Sequence, residues 1–104
     1  MKILIRNKQD TLDEIKLKIS LEIVSRFDVF TIKKKSIENL LRWKSNGTWS
    51  VSYELWLTIL NDRDEQKLIG CMTGLDQRSN QMRQSMPYVG LLDQSVVRKI
   101  HEEI

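Results

Sequence analysis

The stretch that most limits how this chain can fold is Ser36 to Leu60, SIENLLRWKSNGTWSVSYELWLTIL. It holds all three tryptophans, Trp43, Trp49 and Trp56, and one sharp turn signal, Asn46-Gly47. Ile37, Leu40 and Leu41 follow a three-and-four spacing until Lys44 interrupts it, and Trp43 widens that stripe. Ser36 is an available N-cap, with Thr31 as an earlier start. Glycine enters left-handed backbone angles without strain and asparagine tolerates them, so Asn46-Gly47 predicts a helix stop. Ser50 then caps a second helix with Tyr53, Trp56, Leu57 and Leu60 on one stripe, widened by Leu55 and Ile59. So short a connection makes the two helices antiparallel or steeply crossed. The expectation is a helical hairpin with the three indoles at its seam.

Such a hairpin raises the DNA-reading helix-turn-helix as an alternative. That motif wants a small residue four places before the turn glycine and a branched aliphatic six places after it. Trp43 and Tyr53 occupy those places. Two bulky rings where the helices should touch favour a plain core hairpin.

The segment Asp10–Phe27 sends two signals. Ile15, Leu17, Ile19, Leu21 and Ile23 alternate with polar residues, which is a strand pattern. Against it, Thr11 and Glu14 match a capping box. Glu14, Lys18, Glu22 and Arg26 form a ladder of opposite charges one helical turn apart. Leu12, Ile15, Ile19, Ile23 and Phe27 make one apolar stripe, and Leu17, Leu21 and Val24 a second. Helix is the reading that uses all of these. The second stripe then needs a cover, which makes this helix a face for self-association. Residues 1–9, with Ile3, Leu4 and Ile5, read as a docked extended arm.

Downstream, Asp62 and Glu65 read as the cap and box partner of a helix carrying Leu68, Ile69 and Met72 and stopped by Gly74. A short helix from about Asp76 to Ser85 ends before Pro87, because the residue ahead of proline avoids helical angles. It is rich in amides and arginines. Arg78, Asn80, Arg83 and Gln84 are the candidate contacts for a protein partner or an anion. Asp93 caps a last helix with Val96, Val97 and Ile100 inward.

The net charge of +3 is unevenly spread. Residues 1–50 carry eleven Lys/Arg and six Asp/Glu, a balance of +5, and residues 51–104 carry six and eight, a balance of −2. A basic half can steer a polyanion. Lys33, Lys34, Lys35, Arg42 and Lys44 are therefore the candidate nucleic-acid contacts of a second reading. Three lysines at a helix start would oppose the helix dipole, so either an anion sits there or the helix begins upstream.

Chemistry is scarce. One cysteine, Cys71, and one histidine, His101, exclude the usual zinc constellations and make a Cys-His nucleophile pair unexpected. Gly47, Gly70, Gly74 and Gly90 stand alone, with no phosphate loop. No catalytic residue, metal or cofactor is predicted. No segment has the length of an uninterrupted membrane span, the N-terminus lacks a signal-peptide core, and a lone cysteine suits a reducing compartment, so the expected location is the cytoplasm.

At Asn39-Leu-Leu-Arg-Trp43, Tyr53-Glu-Leu-Trp56, Gly74-Leu-Asp-Gln-Arg-Ser-Asn80, Arg83-Gln-Ser85 and Gly90-Leu-Leu92 the cadence resembles small uncharacterised bacterial proteins of the mobile gene cassette type. That resemblance implies a bacterial cytoplasmic accessory protein and brings no assigned activity. The combined expectation is a single all-α domain over 1–104, a compact bundle of five or six short helices around the Trp-rich hairpin. Its expected function is a non-catalytic protein-interaction module that self-associates, with a nucleic-acid-binding regulator as the alternative.

Overall fold

Apolar alternation over residues 15–23 does not make a strand. The computed structural model describes residues 7–104, and there this segment lies inside one long helix, α1 (Lys8–Arg26). Asn7 caps it, accepting from the Asp10 amide at 2.8 Å, so Thr11 sits in the first turn rather than at the cap. Lys8 and Gln9, expected in an extended arm, belong to this helix. Residues 1–6, including Ile3, Leu4 and Ile5 of that arm, lie outside the described residues.

Five more helices follow: α2 (Val29–Ser45), α3 (Val51–Leu60), α4 (Glu65–Thr73), α5 (Gln77–Arg83) and α6 (Gln94–Glu102). The fold is all-α, with no strand among the described residues. α1 lies against α4, α5 and α6, while α3 bridges α2 to α4. One stripe of α1 supplies Ile15, Ile19 and Ile23 to the core, joined by Ile32, Leu40, Trp56, Leu60, Leu68, Met72, Met82, Tyr88, Leu92 and Ile100.

Short-range capping chemistry sets most helix ends. α2 begins upstream of both expected starts, because Asp28 accepts from the Thr31 amide at 2.7 Å. Ser36 is consequently an interior, buried residue of α2. At the other end, Gly47 takes φ +81°, Thr48 N–H donates to the Trp43 carbonyl at 2.9 Å, and Gly47 N–H donates to Lys44. That is a Schellman stop, as Asn46-Gly47 predicts. Ser50 caps α3 as expected. Asp64, not Asp62, caps α4: its carboxylate accepts from the Gln66 amide at 3.0 Å, while Asp62 accepts from the Asp64 amide and pairs with Lys67. Asp93 stands at the start of α6 without a side-chain capping bond.

α4 and α5 meet too closely for a side chain between them. A Cβ at Gly74 would lie 2.6 Å from the Gly70 carbonyl oxygen and 2.7 Å from Asp76 Oδ1. Glycine lets the α5 cap rest directly on the last turn of α4.

The three tryptophans separate. Only Trp56 is in the core, at 0% exposure, with its indole N–H on the Met82 carbonyl at 2.8 Å and its ring edge-on to Tyr88. Trp43 and Trp49 are half-buried and flank Tyr53, at centroid distances of 5.1 and 5.7 Å. The expected seam of three indoles is therefore one interior ring and an aromatic cluster at the hairpin turn. Trp43 and Tyr53, the two residues that speak against a helix-turn-helix, are the pair in contact there.

Candidate interaction face

The four residues expected to form a contact on α5 do not share one surface. Arg83 is fully buried, and its guanidinium donates to the Cys71 carbonyl at 2.9 Å and to Asn80 Oδ1 at 2.6 Å. Its Nε has no partner among the described residues. Gln84 is exposed, but its amide nitrogen donates to Asp13 at 2.7 Å and to the Asn80 carbonyl. Asn80 is thus engaged from two sides. Only Arg78 projects into solvent without such a bond, over a groove it shares with Val51, Leu55 and Gln81. Arg83 ties α5 to α4, and Gln84, just past its end, ties it to α1.

A second set of buried polar bonds fixes the segment after α5. Asn39 is 1% exposed and donates to the Pro87 carbonyl at 2.8 Å and the Val89 carbonyl at 2.9 Å. Arg42 in turn donates to Asn39 Oδ1 at 2.9 Å. The Tyr88 hydroxyl shares a hydrogen bond with that of Ser20, and Lys16 reaches the Gln84 carbonyl. Burial pushes the Tyr88 hydroxyl well above the usual phenol range, with the Ser20 bond opposing it. Tyr88 therefore stays protonated and acts as wall and anchor.

The five candidate nucleic-acid contacts, Lys33, Lys34, Lys35, Arg42 and Lys44, divide by their angle around α2. At 100° per residue, Lys33, Lys34 and Lys44 lie within about 60° of the line through Phe30, whereas Arg42 and Lys35 lie roughly 120–140° away. Lys33 donates to the Asp62 carbonyl at 3.2 Å, and Lys44 sits 5.0 Å from the Trp49 ring centre. Lys35 runs past Gly90, on the Arg42 side. Lys33 stands in the second turn of α2, so the lysine triplet does not oppose the dipole at the helix start.

Between Lys33, Lys34 and Lys44 runs a row of apolar side chains. Phe30, Ile37 and Leu41 fall within about 40° of one another on the helix. Phe30 is 75% exposed and Leu41 56% exposed, and Ile37 is half-buried between them. The spacing is visible in the sequence, but a helix start at Thr31 or Ser36 leaves Phe30 outside the helix. An apolar ridge roughly 17 Å long is thus framed by Lys33 and Lys44 on one side and Lys34 on the other.

The other expected features give no chemistry. Cys71 is half-buried against the core, and burial raises its thiol above the ordinary value, with Arg78 opposing that shift. A thiol held protonated is a poor nucleophile. His101 is exposed on α6. No group of His, Cys, Asp and Glu among the described residues has the geometry to hold a metal ion. No helix among them is long and apolar enough to cross a membrane. The second stripe of α1 is largely used up within the domain, since Val24 packs on the core, Leu17 is half-buried and Leu21 alone is exposed, at 45%. No family model matches this chain, and neither does any curated protein or solved structure.

Proposed function

We propose that this chain is a non-catalytic protein-interaction domain whose outward α2 face receives an acidic amphipathic helix of a partner protein. The observation that carries the reading is Phe30, 75% exposed in the first turn of α2, in line with Ile37 and Leu41 and framed by lysines. Covering the exposed parts of Phe30 and Leu41 contributes roughly 1–2 kcal/mol each. A partner helix with its own apolar seam would cover them and set carboxylates against Lys33, Lys34 and Lys44, the arrangement by which flanking charges choose partners in coiled coils. A second α2 is a poor match for this face, because lysine would meet lysine.

The test is fluorescence anisotropy with a labelled helical peptide of leucine seam and glutamate flanks, compared with a DNA duplex of similar length. The peptide is expected to bind, and Phe30→Ser with Leu41→Ser to weaken it at least about ten-fold, since 1.4 kcal/mol corresponds to that factor. DNA binding unchanged by the two serines would replace this reading with the nucleic-acid one.

Self-association is a second reading, favoured by the exposed Leu21 beside half-buried Leu17 on α1. Light scattering across a dilution series tests it. A mass that doubles with concentration, and does not in Leu21→Glu, supports it; a constant monomer mass removes it.

A further inference from the structure

We infer that this chain has a binding site for a small apolar ligand, in a cavity of about 160 Å³ between α1, α6 and the segment 86–92. Ile19, Met86, Leu92 and Val97 line it, with the buried Ile23 and Tyr88 packed behind them. The mouth is flanked by exposed Val89 and Gln94.

Close-packed interiors contain few voids larger than one water, and a water occupies roughly 30 Å³ of liquid. This space exceeds a simple packing gap several-fold. It is too small for an element of a partner, since a helix with its side chains is roughly 10–12 Å across. Water is a poor occupant as well. A water needs two to four polar partners, and the lining is almost wholly apolar. A benzene-sized ring would give an apolar lining of this size dispersion contacts that water does not.

The wall is built to keep its shape. Asn39 holds the carbonyls of Pro87 and Val89, and the Tyr88 ring is backed edge-on by the buried Trp56 at 5.8 Å. A cavity with a fixed wall gains from being filled, because the atoms lining it lack dispersion partners on one side. The ligand class is one six-membered ring or a branched aliphatic group of similar size. Any polar substituent would leave through the mouth, beside Gln94.

The probe is benzene, followed by methyl-resolved NMR of the full chain. Saturable shifts confined to the methyls of Ile19, Ile23, Met86, Val89, Leu92 and Val97 are expected, reaching a plateau below the solubility limit. Leu60 and Leu68 serve as core methyls outside the cavity lining. Val97→Phe, which places a ring in the site, should raise the half-saturation concentration at least about ten-fold. Val97→Leu is the smaller step, should the phenylalanine prevent folding, and should weaken binding in the same direction. Shifts that never saturate, that spread evenly over core methyls, or that persist in a folded Val97→Phe protein would overturn the site. None of these outcomes depends on the α2 face.

Discussion

Asn39→Ala is the substitution whose cost follows most directly from the geometry. Asn39 is 1% exposed and ties two carbonyls, of Pro87 and Val89, at 2.8 and 2.9 Å. Pro87 is buried, so its carbonyl would lose its donor out of reach of water, at about 1–3 kcal/mol. Val89 is 43% exposed, and its carbonyl would recover part of the loss from solvent, leaving about 0.5–1.5 kcal/mol. The total is about 1.5–4.5 kcal/mol. With an unfolding entropy of about 0.22 kcal/mol/K for a chain of this length, Tm should fall by about 7–20 °C.

Asn39→Asp sharpens the argument. It keeps the shape but turns two donated bonds into oxygen facing oxygen, opposed only by Arg42 at 2.9 Å. Desolvation and the two carbonyls should raise the new carboxyl's folded-state pKa above its unfolded value. A raised folded pKa means the protonated form is favoured in the fold, so stability is lost as pH rises. The gap between Asn39→Asp and wild type should therefore narrow from pH 7 to pH 5 in urea unfolding. An Asn39→Ala protein within 0.5 kcal/mol (roughly the noise of surface substitutions) would refute the clamp, as would a pH-independent aspartate gap.

Further outcomes follow from the other buried groups. Arg83→Ala should cost about 2–6 kcal/mol in chemical unfolding, because it strands two acceptors, the Cys71 carbonyl and Asn80 Oδ1, at about 1–3 kcal/mol each, and Arg83→Met should cost less by filling the space. Iodide quenching of native tryptophan emission should show two classes: Trp43 and Trp49 accessible, Trp56 shielded. Trp56→Phe should abolish the shielded, blue-shifted component. Asp28, Asp62 and Asp76 are all held below the ordinary value of 3.8, chiefly by side-chain hydrogen bonds from Thr31, Lys67 and Ser79. A lowered folded pKa gives stability that is present above that value and drains away as pH falls through the folded one, so changing all three to Asn should flatten Tm against pH below about pH 4.

What the sequence made legible is the chemistry that acts over a few residues. Asn46-Gly47 and Ser50 are readable because the cap and the amide it serves lie two to four positions apart. Asp28 is a cap of the same kind, but Val29-Phe-Thr-Ile looks like a connection rather than a first helical turn. The choice among the three indoles was not readable. Trp56 is interior because Met82, 26 positions on, offers a carbonyl to its N–H. Arg83 turns inward for a carbonyl 12 positions back, at Cys71. A composition rich in arginine and amides looks the same whether it faces a partner or the domain's own backbone. The α2 ridge lay between these cases: its spacing is local, but its exposure depends on α3 covering the opposite side.

The most direct test of the α2 face is the salt dependence of acidic-peptide binding, followed from 50 mM to 1 M. A contact made of an apolar seam with charged flanks should weaken at first and then level off at a measurable affinity, since screening removes the flanks and leaves the seam. Phe30→Ser should lower that plateau. A log–log decline that continues to no binding, with the same slope in Phe30→Ser, would mean that the lysines act alone and that the apolar ridge is not an interface.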